Sequence, residues 1–157
     1  FGTLLAVAIS LYLANRKAKV RLKCEAGERI IVTQGGFQNS ENQPGVSITI
    51  TNLAALPVTL TGVGWACGKG HYWHQILGDP ESERLPKRLE YGEQALFWIS
   101  LNGKEDTWFE NFARELKKRG ANPNKMKVNV STSSGGIFRF TPEKELLNKF
   151  ISAFKKL

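Results

Sequence analysis

The sequence predicts a mainly β protein: a β-sandwich carrying two α-helices, preceded by an N-terminal transmembrane helix. Three observations lead there. Residues 1–14 hold no charged side chain, and Arg16, Lys17, Lys19, Arg21 and Lys23 then follow with no acid among them. From residue 19 to 101, apolar and polar positions mostly alternate, the period of strands with one buried and one wet face. Only two segments, near 107–119 and 142–156, switch to the 3.6-residue spacing of an amphipathic helix.

The first of these elements is the apolar segment. It has no polar stripe, which favours lipid on every side over a core on one. At 1.5 Å per residue its fourteen residues reach about 21 Å, whereas a hydrocarbon core needs about 30 Å. The sequence starts with Phe1, so the expectation is the C-terminal half of a longer span, with a packed N-terminal helix as the alternative. Positive charge after the span places the following residues in the cytoplasm. The expected location is therefore the inner membrane, single-pass. The expected division is residues 1–17 as anchor and basic collar and 18–157 as the sandwich domain. Arg16, Lys17, Lys19, Arg21 and Lys23 would meet anionic headgroups.

Charge follows the same division. Of 22 basic and 14 acidic residues, five basic and no acidic ones fall in the first 23 positions. The rest therefore holds 17 basic against 14 acidic residues, a net +3 of the overall +8. That distribution disfavours nucleic acid as a partner. The cluster from Arg114 to Arg119 keeps it open as an alternative.

Within the domain, Val20, Leu22 and Cys24 alternate with cations, and residues 29–34 form a β-branched run. Residues 35–45 read as a polar loop. Val46, Ile48 and Ile50 alternate with Ser47, Thr49 and Thr51, and Val58, Leu60 and Val63 continue after a turn at Pro57. Trp65-Ala66-Cys67 and residues 72–76 look like hairpin arms across Gly68-Lys69-Gly70. A charged loop at 78–86 and a turn at 89–93 precede a strand at 95–101. In the first helix Asp106 or Thr107 is the expected cap, and Gly120 the expected left-handed terminus. Met126, Val128 and Val130, a turn at Ser133-Ser134-Gly135-Gly136 and residues 137–140 make a late hairpin. Thr141-Pro142-Glu143 reads as a helix start, with cap, proline and first-turn acid in order.

Chemistry-bearing residues are few. Cys67, His71 and His74 have a C-x3-H-x2-H spacing, the basis of an alternative reading as a zinc module or enzyme. On a strand, however, an odd separation sends His71 and His74 to opposite faces, while zinc needs three or four convergent donors. Cys24 and Cys67 are expected as thiols, with a bridge between them as the alternative. No nucleophile signature occurs, so the chain is expected to be non-enzymatic and to need no cofactor. Gly35-Gly36 and Ser133-Ser134-Gly135-Gly136 lack the Lys-Ser/Thr ending of a phosphate loop. The acid pairs Glu81/Glu83 and Glu143/Glu145 read as a solvated loop and a helix start. Tyr72 and Trp73 are more informative. As strand neighbours, one of the two must point outward, and the outward ring is the candidate contact for an unidentified protein partner.

The segment Ala18-Lys19-Val20-Arg21-Leu22-Lys23, then Ile48-Thr49-Ile50-Thr51-Asn52 with Leu56-Pro57-Val58-Thr59-Leu60-Thr61-Gly62-Val63-Gly64, resembles small membrane-anchored bacterial and phage proteins. Residues 85–93 and the late hairpin share the resemblance. Asn52-x4-Pro57-Val58 is similar to a strand–turn–strand of immunoglobulin-like domains. The resemblance implies an immunoglobulin-like sandwich and carries no functional residues with it. The expected function is a membrane-tethered, non-enzymatic protein-interaction module, with phage exclusion or immunity as a setting that such a binder fits.

Overall fold

The computed structural model describes residues 2–15, 19–32 and 42–157. Over these the chain is mixed α/β, with three α-helices and two antiparallel sheets. It opens with α1 (Gly2–Asn15), then β1 (Leu22–Val32), β2 (Asn42–Asn52), β3 (Val58–Cys67), β4 (Tyr72–His74), β5 (Lys87–Leu89) and β6 (Gln94–Ser100). Next come α2 (Glu105–Lys118), a 3-10 turn at Pro123–Lys125, β7 (Met126–Thr132), β8 (Ile137–Phe140) and α3 (Lys144–Lys156). The first sheet runs β1-β2-β6 and the second β4-β3-β7-β8. β5 shares with β4 the β3 edge opposite β7, since Leu60 pairs both Lys87 and Thr132.

The transmembrane expectation is overturned. α1 has fourteen residues, and among the described residues no helix is long and apolar enough to cross a membrane. The single-pass anchor, and the inner-membrane location and cytoplasmic orientation inferred from it, lose their basis. The length shortfall was visible at 1.5 Å per residue; the collar was not. Arg16 and Lys17 lie outside the described residues. Lys19 is exposed just ahead of β1, and the Arg21 carbonyl accepts a hydrogen bond from the Leu53 amide. Lys23 belongs to β1, where it pairs with Glu25 at 2.9 Å. The acid that answers this charge stands two residues beyond the last cation of the collar.

The immunoglobulin-like sandwich is overturned as well. In such a sandwich the inner faces of two sheets fill the core between them. Here the three-stranded sheet covers only part of the broader one, and helices close the rest. Phe109, Ala113 and Leu116 of α2 and Leu146, Phe150 and Ala153 of α3 share one core with Val46, Ile48 and Ile50 of β2, Trp65 of β3 and Val128 of β7. Phe150 is the keystone. Its ring lies 5.4 Å from Trp65, 5.6 Å from Trp108, 5.2 Å from Phe109 and 5.3 Å from Phe112, most of these in the edge-on geometry that aromatic quadrupoles favour.

Strand parity shows how the sequence reaches this core. Met126, Val128, Val130 and Thr132 alternate without interruption and all are buried. On β3 the buried set shifts from Val58 and Leu60 to Val63, Trp65 and Cys67. A register shift between Leu60 and Gly62 inserts one residue against β7. This bulge returns both halves of β3 to the same face.

Polar ties fix the periphery. Buried Asn52 donates from Nδ2 to the Leu56 and Leu89 carbonyls, each at 3.0 Å, and accepts from the Ala54 amide at 2.8 Å. It thereby holds two turns to the end of β2. The free edge of β6 is covered by the charged loop: Glu83 donates its amide to the Leu96 carbonyl, while Ser82 and Asp79 accept from the Trp98 and Ser100 amides. Trp98 is buried on the sheet face away from the core, against Gly45, where a Cβ would collide with its ring.

Helix starts differ from expectation. α2 begins at Glu105 with Lys104 as a cap that makes no side-chain bond, so Asp106 and Thr107 lie inside the first turn. Gly120 follows α2 with φ +64°, as expected. α3 begins at Lys144 rather than at Thr141-Pro142, because Glu143 is committed to β1. Its amide donates to the Ala26 carbonyl and its carboxylate accepts both arms of the Arg29 guanidinium. Gly27 leaves room for this, since a Cβ there would meet the Glu143 side chain.

Phe150→Ala is expected to cost about 3–5 kcal/mol, the range for emptying a buried aromatic site. Phe154→Ala, only half-buried, should cost much less; urea denaturation midpoints check both. The Arg29 guanidinium holds the Glu143 carboxyl below its ordinary value of 4.5, so this pair stabilises the fold above that pH and its contribution is lost as the pH falls through the lower folded value. Both groups are exposed, so Glu143→Gln should cost under about 1 kcal/mol at pH 7. The difference from the parent should vanish in acid.

Candidate functional site

β4 is the element that sorts the two candidate contact residues. Trp73 pairs with Trp65 and Tyr72 with Ala66. Trp65 faces the core, so Trp73 turns the same way, with its ring 5.4 Å from Phe112. His71 stacks on it at 6.4 Å and the Arg119 guanidinium lies 5.3 Å over it. Tyr72 turns to the opposite, solvent-facing side and is 45% exposed. Of the two aromatics, Tyr72 is the available ring.

The ladder identifies what shares that outer face. Ala66 pairs with Tyr72 and Lys127, Gly64 with His74 and Asn129, and Gly62 with Ser131. Asn129 and Ser131 in turn pair with Arg139 and Ile137 of β8. Directly opposed residues point to the same side of a sheet. The face therefore has a floor of small residues on β3 and taller side chains on both flanks. Across it, the Arg139 guanidinium donates to the Tyr72 hydroxyl at 2.7 Å and lies 5.1 Å over its ring. Ile137 is 61% exposed. Lys127 reaches the Thr141 hydroxyl at 2.5 Å, and this set of paired residues includes no acid. The side-chain carbonyl of Asn129 is buried there without a hydrogen-bond donor. Such an acceptor costs free energy until it is met.

The other candidates separate. Cys67 is buried on the core side, with its thiol donating to the Asn122 carbonyl at 2.8 Å. Among the described residues no group of three His, Cys, Asp or Glu side chains could hold a metal, so Cys67, His71 and His74 are not brought together. Cys24 and Cys67 are both free thiols. Burial, reinforced by the Glu25 carboxylate, pushes the Cys24 thiol up to about 12, and burial raises that of Cys67. Both thus remain protonated, which suppresses thiolate chemistry. Gly35-Gly36 lies outside the described residues. Ser133-Ser134-Gly135-Gly136 is the β7–β8 turn, with the Gly135 amide donating to the Thr132 carbonyl and the Thr132 amide to that of Gly136. Glu83 of the loop pair reaches Lys87 at 3.1 Å. Arg114 of α2 and Arg119, the residue that follows it, face Glu110 and Glu115 at 3.8 and 3.6 Å, which offsets charge in the Arg114-to-Arg119 cluster.

Sequence reading missed Arg139 and Asn129. Arg139 lies 67 positions from Tyr72, and only the pairing of β8 with β7 and of β7 with β3 brings the two together. The one local signal was Arg139 standing between Phe138 and Phe140 in an alternating strand.

Alkylation of native protein at pH 8 should be slow at both thiols and become fast in denaturant. Above pH 9 the unfolded Cys24 thiol loses its proton while the folded one retains it, so stability should fall with rising pH up to about 12. Cys24→Ala should flatten that slope. Replacing His71 and His74 together by Ala should leave zinc content and melting temperature unchanged.

No family model matches the chain and no curated protein matches it. Among solved structures, it is similar to the X-ray structure of Northeast Structural Genomics Consortium target SoR45, with 14% identity over 76% of this chain and 80% of that one and a TM-score of 0.32.

Proposed function

We propose that this chain is a non-enzymatic protein-interaction module whose outer β4-β3-β7-β8 face receives an acidic segment of a protein partner. The observation that carries this reading is the exposed Tyr72–Arg139 pair, laid across a floor of Gly62, Gly64 and Ala66. Tyr and Arg are over-represented among residues that dominate binding energy, because each combines a large contact area with a directional polar end. Holding each other in place lowers the entropy lost on docking. Arg139 keeps further guanidinium donors, and Lys127 and His74 stand on the same side with no acid paired beside them. A carboxylate-bearing segment suits that charge.

The test is a binding comparison between the wild-type chain and the Tyr72→Ala/Arg139→Ala double variant, each used to capture proteins from native extract. Proteins held through this face should bind at least about 10-fold more weakly to the variant and should elute early as salt rises. The variant's melting temperature should stay close to wild type, since both side chains are on the surface. Equal retention by the two chains refutes the face. The zinc or enzyme reading predicts a different outcome: loss of capture when the wild-type chain is treated with a zinc chelator, which leaves Tyr72 and Arg139 untouched.

A further inference from the structure

Two glycines occupy outward positions of β3, and the fold explains one of them. At Gly64 a Cβ would strike the Trp73 carbonyl, so the close approach of β4 requires glycine there. Gly62 has no such neighbour: among the described residues a Cβ would meet only Ser131, at 3.6 Å, an ordinary contact. Nor does the bulge beside it ask for glycine, because the φ of Gly62 lies outside the left-handed region. Glycine inside a strand costs backbone entropy and packing. Where nothing in the chain requires it, it marks the close approach of another group.

The register identifies what surrounds Gly62. The Gln75 amide donates to the Val63 carbonyl, and the Gln75 side chain accepts from Trp65 Nε1. The β3–β4 register therefore runs on past His74, with Gln75 turned inward and Ile76 turned outward opposite Gly62. On the other side Gly62 pairs with Ser131, and Ser131 with Ile137. Ile76 and Ile137 thus flank Gly62 and Ser131, and they are 89% and 61% exposed. His74 and Arg139 flank Gly64 and Asn129 in the same way. On every strand the step from the basic row to the aliphatic row is two residues, about 6.7 Å.

β4 and β8 stand three strand spacings apart, about 14 Å. Side chains from both flanks narrow that width, so a helix, about 10 Å across, does not enter, whereas an extended segment does. In such a segment, side chains two positions apart point the same way and lie one such step apart. A carboxylate held in the Arg139 row therefore brings the side chain two positions away onto Gly62, between the two isoleucines.

We infer that the segment received by this face carries a large apolar residue two positions from its acidic one, and that Gly62, between Ile76 and Ile137, is the seat of that second side chain. The inference rests on the reading of the Tyr72–Arg139 face as a docking site for an acidic segment. Charge alone would accept an acid whatever its neighbours. Burial of apolar surface against Ile76 and Ile137 adds the free energy that discriminates among acidic segments. Gly62, Ile76 and Ile137 are then the specificity residues of the face.

A displayed library of random linear twelve-residue peptides, selected on the wild-type chain at low salt, is the probe. Peptides whose binding is lost on the Tyr72→Ala/Arg139→Ala chain should carry Asp or Glu with a large apolar residue two positions before or after it. Gly62→Val fills the seat, and Ile76→Ser/Ile137→Ser strips its walls. Both variants should bind these peptides at least about 10-fold more weakly, with melting temperatures matching wild type because each change is on the surface. If Gly62→Val shifts the melting temperature, the serine variant decides. Replacing the apolar residue of a selected peptide by Ser should weaken binding to wild type by a similar factor and leave binding to Gly62→Val unchanged. Acidic peptides with no apolar preference, a preference at three or four positions instead of two, or equal binding by the serine variant overturns the inference and leaves the face intact. If no selected peptide depends on Tyr72 and Arg139, the face itself is refuted and the inference falls with it.

Discussion

The seating of Phe150 against Trp65 is the contact on which the other parts of the structure rest. Trp65 lies at the centre of the five-stranded sheet and Phe150 midway along α3, so their packing joins sheet to helix directly. α2 is held by the same pair through Trp108, Phe109 and Phe112. The area buried by large aromatics makes this the strongest apolar cluster that the composition offers. It also explains why three strands suffice in the first sheet, since helices cover what a wider sheet would have to.

The same contact sets the surface. For Trp65 to face inward while Leu60 also does, β3 needs its bulge between them. With Trp65 inward, the β3–β4 register turns Trp73 inward as well and leaves Tyr72 outward. The small residues that alternate with this buried set, Gly62, Gly64 and Ala66, become the floor beneath Tyr72 and Arg139. Core packing and the candidate binding face are two sides of one parity choice.

Edge protection shows a comparable division of labour. Asp79, Ser82 and Glu83 close β6 with a mixture of backbone and side-chain bonds. Glu143 closes the lower part of β1, at the expense of the helix start that Thr141-Pro142 would otherwise favour. A residue with ideal local chemistry for one role has been taken by a long-range partner, Arg29, which no local pattern announces. Asn52 acts similarly at the other end, where its amide substitutes for backbone pairing that the turns cannot supply.

Several features were legible because their causes are local. Alternation marked β2, β3, β6 and β7, glycines marked the hairpin between β3 and β4, and 3.6-residue spacing marked α2 and α3 within two residues. The neighbour rule established that one of Tyr72 and Trp73 must face out. Local reading failed where a property depends on what packs alongside. An apolar stretch followed by cations looked like an anchor, yet its fourteen residues make a helix too short to span and Lys23 pairs within β1. Many strands looked like a closed sandwich, yet amphipathic helices are part of the same core. Periodicity, turns and the opposed facing of adjacent strand residues are written in the amino-acid order, because each is a property of a few consecutive residues. That helices complete the core, that Tyr72 rather than Trp73 faces solvent, and that Arg139 meets it emerge only in the folded chain. Those outcomes follow from strand register and side-chain burial across many tens of residues, and spacing along the chain does not encode them.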